Sequence, residues 1–145
     1  MAAHAGMKAQ YVAHQADFTI SAIGAGPGET VYYTCDSVVA ATKDLLNSIG
    51  AKNISVDCNG GLDYPLPASD AFVSANFDSL VPATGNAPTA IDASFNGVTL
   101  SGSDNCYLVS SILSAVSSDF TIASLAGNSC FNANDAYSIR LSVLK

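Results

Sequence analysis

Positive charge is scarce in this chain: 5 Lys and Arg stand against 12 Asp and Glu, for a formal net charge of −7. A pI near 4.2 argues against nucleic acid and anionic lipid surfaces as partners. Charge of either sign is sparse too, at 12% of residues against about a quarter in ordinary globular chains. Tryptophan is absent, histidine occurs only as His4 and His14, and Glu29 is the single glutamate. No run reaches the roughly 18 consecutive apolar residues of a membrane helix, so membrane insertion is not expected. None of the four cysteines forms a Cys-x-x-Cys pair, which argues against a thioredoxin-type redox site or half a zinc site.

What fills the sequence instead is serine (19), asparagine (10) and threonine (8), with 49% hydrophobic residues. The surface is therefore expected to be polar but weakly charged, around a real core. A chain of 145 residues buries about two-thirds of its unfolded surface as one compact domain.

Cys35, Cys58, Cys106 and Cys130 are separated by 23, 48 and 24 residues. The even count and the two near-equal intervals read as two disulfide loops in series, and disulfides require an oxidising compartment. The first sixteen residues carry neither a cationic nor an apolar leader segment. A secreted or periplasmic protein is therefore expected to have lost its leader, with Met1 to about Met7 at a trimmed boundary.

Each cysteine interval holds the same succession of patterns. After Cys35, the residues Val38, Ala41, Leu45, Leu46 and Ile49 recur at helical spacing, interrupted by Thr42; Asp36 or Ser37 is placed to cap the start and Gly50 to end it. After Cys106, Leu108, Val109, Ile112, Leu113 and Val116 repeat the stripe, with Asp104 or Asn105 at the cap. Alternating segments follow, Ile54 and Val56 in one case and Phe120, Ile122 and Leu125 in the other. Two further strands begin at Asp70-Ala71 and Asp135-Ala136, while residues 30–34 and 98–101 are expected to lead into the helices. The expected fold is α+β, with two β-α-β-β repeats forming a mainly antiparallel sheet packed by two helices, a disulfide-stapled variant of the ferredoxin-like arrangement. The boundaries are 1–28 for an N-terminal extension, 29–81 for the first repeat, 82–95 for a linker and 96–145 for the second repeat.

In a right-handed β-α-β crossover, strand ends on either side of a helix return to one edge of the sheet, which favours Cys35 with Cys58 and Cys106 with Cys130. There is a geometric tension. Crossover strands separated by a third lie about 10 Å apart, whereas a disulfide wants Cα atoms about 5.5 Å apart. Either the strands are neighbours or the cysteines lie at strand ends free to approach.

The segments Tyr33-Thr34-Cys35-Asp36-Ser37-Val38, Leu45-Leu46 to Ile49-Gly50-Ala51, and Ser55-Val56-Asp57-Cys58-Asn59-Gly60-Gly61-Leu62 resemble a group of small exported proteins of proteobacteria with a Cys-helix-strand-Cys-x-Gly-Gly motif. The likeness spans roughly residues 30–115. It implies an exported compartment and brings no activity with it.

Catalytic chemistry finds little to use. Both histidines fall in an unstructured-looking N-terminus, no Gly-x-Ser-x-Gly elbow occurs, and the aspartates sit mostly at caps and turns. Asp57, Asn59 and Asp63 around Gly60-Gly61 form a candidate calcium turn, with Asn132, Asn134 and Asp135 a second oxygen-rich turn. The EF-hand pattern fails there, since Leu62 holds the glycine position and Ala68 the glutamate position. Gly24-Ala25-Gly26-Pro27-Gly28 precedes a strand, not a helix, and reads as a loop; Asn53-Ile54-Ser55 matches a glycosylation sequon. No cofactor is expected.

Residues 10–23 read as a strand in which Phe18, Ile20 and Ala22 share one face. It is either an edge strand of its own sheet or a strand given to a neighbour, with Tyr11, Val12, Phe18 and Ile20 as candidate self-association residues. In the second case a head-to-tail contact could propagate as a filament, and deleting the segment would leave a folded monomer. The sequence thus points to a homo-oligomeric, non-catalytic exported structural protein, a filament or surface-assembly subunit. The rivals are an extracellular module binding glycan or calcium, and a small Asp-dependent hydrolase.

Overall fold

The computed structural model describes residues 7–20, 33–61, 70–84, 88–103, 105–127, 130 and 135–145. The strand β1 (Met7–Ile20) is followed by helix α1 (Cys35–Ser48), β2 (Lys52–Gly60) and β3 (Ala71–Pro82). The short β4 (Ile91–Ala93) leads to β5 (Phe95–Gly102), α2 (Cys106–Val116), a 3₁₀ turn at Ser117–Asp119, β6 (Ile122–Gly127) and β7 (Tyr137–Leu144). The class is α+β, as its sequence pattern predicts. The single sheet expected from the sequence is instead two, one of four strands in the order β2-β3-β1-β4 and one of three in the order β5-β7-β6. Every ladder in both is antiparallel.

The strand leading into α1 also differs from expectation. Residues 30–32 lie outside the described residues, Tyr33 and Thr34 are not in a strand, and β1 holds the leading place. It pairs with β3 without a break from Ala9↔Pro82 to Ile20↔Ala71. The stretch 82–95 is not wholly a linker either, because Pro82 ends β3, Ile91–Ala93 forms β4 against Met7–Ala9, and Phe95 starts β5.

The cap of helix α1 lies two residues before the nearer expected one, since Thr34, not Asp36 or Ser37, accepts a bond from the Ser37 N–H at 3.1 Å. It ends where Gly50 takes a left-handed φ of 95°. There the N–H of Gly50 bonds Asn47 and that of Ala51 bonds Leu46, the paired bonds of a Schellman stop. Thr42, the polar break in the stripe, is fully buried and donates its hydroxyl to the Val38 carbonyl at 2.7 Å. Asn105 stands before α2 in a left-handed conformation with no side-chain cap bond; Asp104 is outside the described residues.

One core joins both halves. Val38, Leu46 and Ile49 of the first helical segment meet Leu108, Ile112 and Val116 of α2, together with Ile20, Val73 and Phe77 from the larger sheet and Ile139, Leu141 and Val143 from the smaller. Phe77 stacks on Phe120 with ring centroids 5.3 Å apart. Leu125 is 53% exposed although the register shift between Ile122 and Ser124 sets it opposite the buried Leu141, because β6 is an edge strand with a neighbour on one side only.

The disulfides are Cys35–Cys58 and Cys106–Cys130, with Cα separations of 5.6 and 5.7 Å. The geometric tension resolves through the helices. The strands β1 and β2 are indeed separated by β3, as β5 and β6 are by β7. However, Cys35 and Cys106 are the first residues of α1 and α2, so each bridge runs from a helix start and not from the preceding strand. Its far end is Cys58 within β2 in one half and Cys130, beyond β6, in the other. Closing loops of this length contributes about 3 kcal/mol each by the chain-entropy model. Two disulfides fit an oxidising, extracytoplasmic environment. Among the described residues no helix is long and apolar enough to cross a membrane.

Candidate functional site

The outer face of the larger sheet collects the polar residues singled out in the sequence. Along β3 the side chains of Ala71, Val73, Ala75 and Phe77 turn to the core, which leaves Phe72, Ser74, Asn76 and Asp78 on the other side. Cross-strand pairing sets Asp57 of β2, Ser74 and Asp17 of β1 in one row, and Asn59, Phe72 and Thr19 in the next. These residues line an open hollow of about 350 Å³. Phe72 is 51% exposed on a strand with neighbours on both sides. The calcium candidates Asp57 and Asn59 thus share this face with Asp17, whereas Asp63, Asn132 and Asn134 lie outside the described residues. Among the described residues no group of three or more His, Cys, Asp or Glu could hold a metal ion.

A second cluster was hidden from the sequence. His14, set aside with the unstructured-looking N-terminus but inside the strand read at residues 10–23, lies in β1 on the core-facing side opposite Phe77, with ring centroids 5.8 Å apart. Its Nδ1 is 3.6 Å from the Asp119 carboxylate, and its Nε2 is buried without a hydrogen-bond partner among the described residues. Ser79 lies two residues along β3 from Phe77, so Ser, His and Asp converge from three elements. The hydroxyl of Ser79 is fully buried and donates to the backbone carbonyl of Asp119 at 2.5 Å. That hydroxyl is committed to a carbonyl and turned away from solvent, which is a structural use and not the presentation of a nucleophile. The proximity of 14, 79 and 119 arises from strand register and has no local sequence signal.

The four candidate self-association residues separate into two kinds. Ile20 is 2% exposed and Phe18 packs against the core, whereas Tyr11 and Val12 are 37% and 36% exposed. The ammonium of Lys52 sits 5.0 Å from the centre of the Tyr11 ring. Because β1 gives Ala16 and Ile20 to the core and pairs along its length with β3, deleting it removes part of the fold; the expectation of a folded monomer after deletion does not survive. The far side of β1 is different. The three-residue β4 pairs only with Met7, Lys8 and Ala9, and among the described residues no strand pairs with β1 beyond that point. The Gly24–Gly28 loop is outside the described residues.

Comparison with protein-family models, curated proteins and solved structures finds no match to this chain.

Proposed function

We propose that this protein is an exported, non-catalytic structural subunit that associates with copies of itself. The observation that carries the reading is the side of β1 from residue 10 to 20 that no strand among the described residues pairs with, a long regular edge on a domain cross-linked by two disulfides. Such an edge is a template for another strand unless something blocks it, and a surface with few charges does little to block it. The two halves are copies of one β-α-β-β unit in this reading. What supports it is the common strand order, first-third-second, with a helix after the first strand and a disulfide from that helix's first residue. That order is the split β-α-β plan of ferredoxin-like units. Light scattering on oxidised protein over a wide concentration range tests the association: a mass above the 14.7 kDa of one chain is expected, and a monomer throughout would contradict it.

A second reading is favoured by Phe72. An exposed aromatic ring with Asp17, Asp57, Asn59 and Thr19 around it offers a stacking face and hydrogen-bond partners to a sugar, which suits an extracellular glycan-binding module. Binding to a glycan panel that is lost in Phe72→Ala would support this reading over the first.

A further inference from the structure

The edge of β1 has a geometry that specifies its partner, and the inference rests on the self-association reading above. The N–H of Ala83 bonds the carbonyl of Lys8, in line with the β1–β3 pairing. In an antiparallel ladder the bonded residues alternate, so the even-numbered residues of β1 point their backbone groups at β3. The odd-numbered ones point them the other way. Met7 and Ala9 meet β4 there, and Tyr11, Ala13, Gln15, Asp17 and Thr19 have no strand opposite them among the described residues.

The remaining sheet edges carry features that discourage pairing. In β2 the register against β3 shifts between Lys52 and Ser55, where Asn53 has a φ of 53°. The strand β6 has six residues and its own register shift, and β5 contains Gly97 and Gly102. From residue 10 to 20, β1 has no glycine, no proline and no register shift. Natural edges are blunted by bulges, charge or brevity, and between residues 10 and 20 this one carries a single carboxylate, Asp17, and neither of the other devices.

We infer that β1 pairs with β1 of a second copy, antiparallel about a two-fold axis through Gln15. In this register Tyr11 faces Thr19 of the second copy, Ala13 faces its Asp17, and Gln15 faces its own equivalent. Every outward-pointing backbone group of the five residues is then bonded, because each bonded pair exchanges two hydrogen bonds. On the core-facing side Val12 of one copy meets Phe18 of the other, which covers an exposed valine. The register also avoids a direct repulsion between two acidic chains of net charge −7, because Asp17 faces an alanine and no two carboxylates stand opposite each other. The contact is isologous and closes as a dimer, in contrast to a head-to-tail filament.

The test uses the full-length oxidised protein in sedimentation equilibrium, with melting temperature followed in parallel. Ala13→Asp sets two carboxylates opposite each other twice per dimer and is expected to weaken dimerisation by about tenfold or more. Ala13→Lys faces Asp17 with a cation and is expected to strengthen it. Gln15→Pro removes an N–H that points away from β3, so it should give a monomer that melts within a few degrees of the parent. Should the protein associate while all three variants behave as the parent does, the β1 pairing is overturned and self-association stands. A parent that is monomeric throughout overturns both, and assemblies larger than a dimer that keep the Ala13 dependence overturn the closed two-fold.

Discussion

Helix α1 buries Val38, Thr42, Leu45 and Leu46 and leaves one side to solvent, whereas the shorter α2 buries Cys106, Leu108, Val109, Ile112, Leu113 and Val116. The first helix has a side-chain cap at its start and a Schellman stop at its end. The second has no side-chain cap bond. Two helices in the same topological place therefore hold their shape by different means. Local hydrogen bonds at the ends contribute much to the amphipathic helix, while the apolar one relies on packing, on its disulfide and on a bond from the Cys106 N–H to the distant Asp135 carbonyl. The leading strands differ in the same spirit: β1 pairs through twelve residues with β3, and β5 through eight with β7.

The contrast can be broken at several points. Leu46 and Leu113 are both buried in the shared core, so Leu46→Ala and Leu113→Ala are each expected to lower unfolding free energy by about 2–5 kcal/mol in chemical denaturation. One cooperative transition in both variants would fit a shared core; separate transitions for the two halves would not. Losses below about 1 kcal/mol in both would mean that the helical faces are misassigned.

Removing one disulfide comes next. Replacing Cys35 and Cys58 by Ser is expected to cost about 3 kcal/mol. The same change at Cys106 and Cys130 should cost more, because Cys106 is fully buried and the new hydroxyl would enter an apolar site. Thermal melts of the two double variants check the order. Equal losses would show that burial at the helix start contributes nothing.

The caps separate the helices more gently. Thr34→Ala removes the bond to the Ser37 N–H and is expected to cost about 1 kcal/mol. Asn105→Gly removes no cap bond and relieves a left-handed residue, so it should leave melting unchanged or slightly raised.

The smallest effect lies in alkaline solution. Burial first, and then the neighbouring Tyr107, push the Tyr33 phenol above its usual range. A raised folded pKa favours the protonated form, so this contribution is complete below the unfolded value of about 10 and is lost as pH rises through the folded one. Tyr33→Phe should therefore melt like the parent at neutral pH, since the hydroxyl has no partner among the described residues, and lose less stability at high pH. An identical alkaline loss in both would contradict the assignment.

Legibility in the sequence followed the reach of each signal. Both apolar stripes could be read because a helix repeats within a few residues, and Leu108 to Val116 is buried at each expected position. The strands β2, β3, β6 and β7 begin close to their alternating segments, and the cysteine intervals gave the pairing. Cap identity slipped because Thr34, Asp36 and Ser37 are all good caps and only the start of the helix at Cys35 decides between them. The leading role of β1 was not legible, since residues 30–34 alternate as well and chain distance says nothing about which strand joins β3. Nor was the His14–Asp119 contact, which joins residues over a hundred positions apart through strand register alone. The division into two sheets depends on long-range pairing that no local pattern encodes.

The comparison rests on each half being closed by its own disulfide from the first residue of its helix. Non-reducing peptide mapping of protein recovered from an oxidising compartment tests this most directly. Peptides joining Cys35 to Cys58 and Cys106 to Cys130 are the expected result. A bridge between the halves, or four free thiols, would contradict the account.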